Sequence, residues 1–223
     1  MKKVYVIFLG IIVLLMVSAV SCAPVQEALA GGGAERQETG ANWHPQSGEG
    51  PVEGASASVV RNDNGASVSF KARELNPDHV YTLWFVVVNS PENCAAYPEG
   101  PCGAGPDVLG NTDGVQADVT YVDGIVAGGS GKGTLSGHVS EGDLPNAWFG
   151  NRFEDARAAE IHLVVNDHGP KIPGMADDMM HSYRGGCTDD SLPPPFPDTA
   201  KSDGTPGPNT CRLYQSAIFE PSE

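Results

Sequence analysis

Six histidines and five cysteines are the residues of this chain with the most chemistry available to them. In Glu160-Ile161-His162-Leu163-Val164-Val165-Asn166-Asp167-His168, period-two alternation turns Ile161, Leu163 and Val165 to one face and gives His162 and His168 the other. An extended chain rises about 3.3 Å per residue, which would set those two rings roughly 20 Å apart. A zinc ion reaches its ligands at about 2 Å, so they share a metal only if the chain turns sharply. Asp167-His168-Gly169-Pro170 is a candidate turn, and two better ligand sets follow: His168 with His181 and Asp178, or His138 with His162 if their strands pair in register. The expected role of these histidines is nonetheless structural, and a copper or zinc site is the alternative.

Other constellations are weaker. Met175, Met179 and Met180 near His168 and His181 suggest blue copper, but that site needs a free thiolate and Cys187 is better placed in a disulfide. The loop acids Asp107, Asp113, Asp189 and Asp190 lack EF-hand spacing. Gly128-Gly129-Ser130-Gly131-Lys132-Gly133-Thr134 fails the P-loop pattern, because Gly133 stands where Ser or Thr must follow the lysine, so it reads as a turn between strands. No Ser-His-Asp order and no carboxylate pair stands out. No catalytic residue and no cofactor is expected, apart from the alternative of a metal ion.

Four cysteines beyond Cys22 are an even set, consistent with disulfides outside the cytoplasm. Cys94 with Cys102 and Cys187 with Cys211 is the favoured connectivity of three, since each pair brackets one loop. Each bridge would stabilise the fold by about 2–4 kcal/mol. Cys22 has a different part. Lys2 and Lys3 precede an almost wholly apolar run over residues 4–20, which ends in Ala19-Val20-Ser21-Cys22. That sequence resembles a bacterial lipobox, with Ala at the position usually taken by Leu. Residues 1–21 are therefore expected to be a signal peptide, and Cys22 the site of lipid attachment, placing the mature chain on the bacterial cell envelope outside the cytoplasm.

These residues must be positioned by strands. Ala66, Val68, Phe70 and Ala72 alternate with Ser67, Ser69 and Lys71, and Asn62-Asp63-Asn64-Gly65 before them signals a hairpin back to Ser58-Val59-Val60. Val80 to Val88 is apolar on both faces, so it must be covered on both sides. Further strands are expected at 116–122, 124–127, 133–139, 161–165 and 213–219, and only 153–159 and 175–183 look helical. The expected fold is an antiparallel β-sandwich of immunoglobulin or fibronectin type over residues 56–221, with a small closed barrel as the alternative. Residues 22–55, rich in Ala, Gly and Glu, read as a lipidated flexible stalk, within which Trp43 would latch onto the domain. Between Asn166 and Cys211 strand periodicity vanishes, and this long proline-rich loop is expected to cover the outer face of the Val80–Val88 strand or to contact a ligand.

Leu75-Asn76-Pro77-Asp78-His79-Val80-Tyr81-Thr82-Leu83-Trp84, Ala159-Glu160-Ile161-His162-Leu163-Val164 with His168-Gly169-Pro170, and Gly185-Gly186-Cys187 with Pro208-Asn209-Thr210-Cys211 together resemble uncharacterised bacterial secreted and lipoprotein domains. A weaker likeness runs to fibronectin-type and chordin-like sandwiches. The resemblance implies a β-sandwich in the cell envelope and carries over no functional residue. With 13 Lys and Arg against 28 Asp and Glu, the net charge of −15 repels phosphate backbones, so nucleic acid is not an expected partner. The expected partners are the membrane, through lipid on Cys22, and an unidentified envelope or extracellular ligand.

Overall fold

The computed structural model describes residues 33–222, so the signal sequence and Cys22 lie outside the described residues. Strands β1 (Glu35–Trp43), β2 (Pro51–Asn62), β3 (Gly65–Ala72), β4 (His79–Val88), β5 (Ala117–Val126), β6 (Gly133–Ser140), β9 (Glu160–Pro170) and β10 (Arg212–Phe219) form one sheet in the order β5-β4-β9-β10-β1-β2-β3-β6. Every pairing in it is antiparallel. Two short strands, β7 (Gly142–Asp143) and β8 (Arg152–Phe153), pair separately. The all-β antiparallel class is as read from the sequence. The eight strands curl into one sheet nearly closed as a barrel, and its two edges meet where Asp123 of β5 accepts the backbone N–H of Ser136 of β6 at 2.9 Å.

Alternation explains the interior. Tyr81, Leu83, Phe85 and Val87 of β4 point inward with Ile161, Leu163 and Val165 of β9, and join Val59, Phe70, Leu135 and Phe219 in one core. Asn62 pairs with Gly65 across the expected β2–β3 hairpin. Gly65 has φ +130°, and a Cβ there would lie 2.1 Å from the Val139 carbonyl oxygen, so no other residue fits the approach of β6.

Two expectations change. The stalk assigned to 22–55 does not extend over its second half, because β1 fills the sheet between β10 and β2 and β2 begins at Pro51. Residues 35–40 are polar or glycine, with 35, 37 and 39 half-buried and Ala41 buried, so apolar periodicity could not reveal the strand. Trp43 ends β1 edge-on to Tyr214, ring centroids 5.0 Å apart. Residues 153–159 form no helix; Phe153 belongs to β8 and turns follow. The helices are short: α1 (Thr112–Val115), α2 (Ala176–His181) and α3 (Asp198–Ser202).

One end of the barrel is held by Arg61, which is fully buried. Its guanidinium donates to the carbonyls of Ala156, Ala159, Phe219 and Glu220 and to the Gln37 side chain. A single side chain thus joins β1, β2, the turn before β9 and the end of β10. Burial pulls its pKa down to about 10, and Glu35 and Asp155 counter that loss of hydration. Replacing Arg61 with Met leaves several buried carbonyls without donors, each costing about 1–3 kcal/mol. The Arg61→Met variant is expected to lose about 3 kcal/mol or more in urea unfolding, while exposed Arg36→Met changes stability by less than about 0.5 kcal/mol. Equal midpoints for the two variants would refute the clamp.

Candidate functional site

The outward side chains of β4 are Thr82, Trp84, Val86 and Val88, and all four are buried. They are covered by a second core built from Cys94, Cys102, Val108, Trp148, Tyr183, Cys187, Leu192 and Ala200. The long loop therefore lies over the outer face of β4, as its length and prolines suggested. Two disulfides tie this cover down. Cys94–Cys102 closes one loop with an S–S distance of 2.01 Å, and Cys187–Cys211 pins the base of the long loop. Asp107 holds the first loop further, its carboxylate accepting the backbone N–H groups of Ala95 at 2.9 Å and Gly103 at 2.6 Å. Close packing of α2 on β5 requires Gly124, where a Cβ would meet the Met180 carbonyl oxygen at 2.1 Å.

Between sheet and cover lies a cavity of about 70 Å³. One water needs on the order of 10–15 Å³, so the space holds several. Trp84, Val86, Val119, His162 and Val164 form its floor on β4, β5 and β9, with Leu213 from β10. Ala104, Val108 and Leu109 contribute from the turn before α1, Trp148 from the β7–β8 connection, Tyr183 and Phe196 from the long loop, and His44 from the β1–β2 turn. The aromatic rings pack edge to face: Trp84 with Tyr183 at 5.0 Å, Trp148 with Tyr183 at 4.5 Å and Trp148 with Phe196 at 6.0 Å. Such arrays suit the ring quadrupoles.

The wall carries few polar groups, and each has a definite state. Trp148 is fixed through its backbone: Asp118 accepts its N–H at 2.9 Å, along with those of Val119 and Phe149, and Thr199 donates to its carbonyl. Its indole N–H is buried and has no acceptor among the described residues. Burial pushes the Asp118 carboxyl up, while these N–H groups oppose the shift. On the floor, Nε2 of His162 lies 2.6 Å from Oε1 of buried Glu160, which also accepts the Cys102 N–H at 2.8 Å. Nε2 of His162 carries the proton that the Glu160 carboxylate accepts. Burial lowers the His44 pKa and raises that of the Tyr183 hydroxyl, so both favour their neutral forms.

His168 sits beside this space and is satisfied. The Trp84 indole donates to Thr82 Oγ1 at 2.8 Å, and Thr82 Oγ1 lies 2.8 Å from His168 Nε2. Nδ1 on the other side faces the Gly185 carbonyl at 2.9 Å, so it carries the proton and Nε2 accepts from the threonine. Burial drives the His168 pKa down to about 4, overriding the Gly185 carbonyl, Asp167 and Asp178, which favour the charged ring.

The metal sets read from the sequence are not assembled among the described residues. His138 is exposed on β6, bonded to Ser67 Oγ at 3.0 Å, and β6 does not pair with β9, which carries His162. His181 is exposed on α2 and bonded to the Asp177 carbonyl, while Asp178 accepts the Thr205 N–H. Neither gathers with His168; the group whose ligand atoms lie within 4.8 Å of one another is His168, Cys187 and Cys211. Both sulfurs there are spent in the disulfide, so neither offers a thiolate. Sequence reasoning missed Glu160, Asp118, Trp148, Tyr183 and Phe196. Glu160 was legible as a carboxylate two residues from His162, hence on the same strand face. Trp148 and Phe196 were legible as aromatics stranded in Gly- and Pro-rich loops, which need apolar cover.

Comparison with protein-family models, curated proteins and solved structures finds no match to this chain.

His168 generates a pH dependence. A ring whose folded pKa is near 4 and whose unfolded value is near 6.5 binds fewer protons when folded, so its contribution is intact above pH 6.5 and is lost as pH falls toward 4. Wild type is expected to lose about 2–3 kcal/mol more than His168→Gln between pH 7.5 and 4.5, read from urea midpoints at each pH. Parallel losses would show that His168 is not held neutral.

Proposed function

We propose that this protein is a binding module of the bacterial cell envelope, tethered through lipid on Cys22, whose aromatic pocket takes a small, largely apolar ligand. The observation that carries the binding role is the cavity between the sheet and its disulfide-pinned cover, walled by Trp84, Trp148, Tyr183 and Phe196. Burial of a ring against such walls gains roughly 25 cal/mol per Å² of apolar surface removed from water. The walls belong to the sheet, to a β7–β8 connection whose backbone Asp118 fixes and to segments next to two disulfides, so little ordering cost is left for the moment of binding. The tether is supported by the lipobox-like Ala19-Val20-Ser21-Cys22 after an apolar run, and the two disulfides agree weakly with a location outside the cytoplasm. The metal reading has no comparable support, since its candidate ligands stand apart or are bonded within the protein.

Two measurements test these halves separately. Intact mass of the membrane-extracted protein is expected to show diacylglycerol and acyl additions on Cys22, and an unmodified or still-attached signal sequence refutes the tether. Titration of the ectodomain with toluene is expected to shift tryptophan emission saturably, because two of the three tryptophans line the pocket. Val164→Phe, which fills the floor, should weaken that binding about tenfold, or about 1.4 kcal/mol. A linear, unsaturable response in the wild type removes the pocket from consideration.

A further inference from the structure

The Cys187–Cys211 bridge pins the base of the long loop, and His168 lies directly against it. All three residues are buried, His168 and Cys187 completely. Nδ1 of His168 is 3.6 Å from Cys187 Sγ, and a ring nitrogen and the two sulfurs all lie within 4.8 Å of one another. Around a tetrahedral zinc ion, with nitrogen at about 2.0 Å and sulfur at about 2.3 Å, neighbouring ligand atoms stand about 3.5–3.8 Å apart. The nitrogen-to-sulfur spacing is thus already that of a zinc site. The Gly185 carbonyl oxygen, 2.9 Å from Nδ1 and 3.6 Å from Cys187 Sγ, is placed to supply a fourth ligand. What the oxidised chain lacks is the pair of thiolates. The nitrogen side is prepared as well. Burial holds the ring neutral, so no imidazolium has to be deprotonated first. Binding a metal at Nδ1 needs the tautomer with its proton on Nε2. That atom faces Thr82 Oγ1 at 2.8 Å and the Asn166 amide at 3.3 Å, and a rotated hydroxyl or a turned amide accepts the proton. Metal-ligating histidines have such a partner on their second nitrogen.

We propose that His168, Cys187 and Cys211 form a redox-gated zinc site, closed while the disulfide stands and opened by its reduction. A dithiol reductant supplies two electrons and two protons: the S–S bond breaks, the dithiol closes to its own disulfide, and Cys187 and Cys211 become thiols. Zinc then binds as both thiols release their protons to solvent and the ring proton passes from Nδ1 to Nε2. Bonds from zinc to sulfur and nitrogen replace the S–S bond as the staple of the long loop. Thiolate and imidazole ligands select zinc over Mg²⁺ and Ca²⁺, which require oxygen ligands. This site is separate from the aromatic pocket and does not depend on the pocket's ligand. The Cys94–Cys102 bridge is an internal control, because no third ligand gathers with it among the described residues.

The test is to reduce the purified protein with dithiothreitol under native conditions, remove the reductant without oxygen, and titrate with zinc. The reduced chain is expected to bind zinc saturably and the oxidised chain not at all, and Mg²⁺ should not compete. Zinc should shield Cys187 and Cys211 from iodoacetamide while Cys94 and Cys102 stay reactive, as read by mass mapping of the alkylated peptides. It should also raise the urea midpoint of the reduced protein, which shows that the folded state is the one that binds. His168→Gln should weaken zinc binding by about tenfold or more and leave the oxidised disulfide intact. If that variant does not fold when reduced, the shielding pattern in the wild type decides. A bridge that dithiothreitol leaves intact overturns the gate. Zinc that shields all four cysteines equally, zinc that leaves the midpoint unchanged, or equal affinity in His168→Gln overturns the site.

Discussion

Strand β4 is apolar on both faces, and the rest of the molecule is arranged to satisfy that constraint. Its inward residues fill the barrel, which takes care of one face. The outward row of Thr82, Trp84, Val86 and Val88 would otherwise meet water, and a patch of that size cannot be left bare on a stable monomeric surface. The barrel therefore carries a second, external core assembled from segments with little regular structure of their own. Loops are poor at holding position, since their backbone is not bonded into a ladder. Here the disulfides, Asp107 and Asp118 do the holding, each fixing a segment that contributes an apolar residue above the sheet.

The barrel and its cover solve the same problem by different means. In the barrel, backbone ladders satisfy the polar groups and alternation sorts the side chains. At its open end, where ladders stop, Arg61 supplies donors to backbone carbonyls of two separate segments and to the Gln37 side chain, which is why so polar a side chain is fully buried. In the cover, buried carboxylates and a neutral histidine play the matching role. Asp118 gathers N–H groups, Glu160 links the Cys94–Cys102 loop to β9, and His168 joins Thr82 to Gly185 across the sheet and the long loop. Because loop segments cannot interdigitate as closely as strands, a gap remains between the sheet and its cover. That gap is lined with aromatics because aromatics were needed to cover Trp84.

The sequence was most informative where period-two alternation and burial coincide. Strands β3, β6, β9 and β10 were legible because apolar residues recur every second position, β4 because its whole run is apolar, and the hairpin at 62–65 because of its turn residues. Strand β1 was not legible. It is inserted between β10 and β2, where its neighbours satisfy its backbone, so its polar side chains needed no pattern of their own. Residues 153–159 misled in the opposite sense, since their spacing suits a helix but Phe153 is drawn into the core beside Phe85, with ring centroids 5.3 Å apart.

Composition and local pattern by themselves determined the all-β class, the acidic surface, the two loop-closing cysteine pairs and the need to cover β4, because each depends on residue type or near-neighbour spacing. Only the tertiary structure decided that the sheet curls toward closure, since that depends on how the edge strands β5 and β6 meet. It also decided the fate of the histidines. His138, His162, His168 and His181 look alike in sequence, but one lies exposed at a sheet edge, one faces a cavity with its partner carboxylate, one is sealed in as a neutral link and one sits on a surface helix. Which of these a histidine becomes is set by side chains dozens of residues away, and no local spacing encodes them.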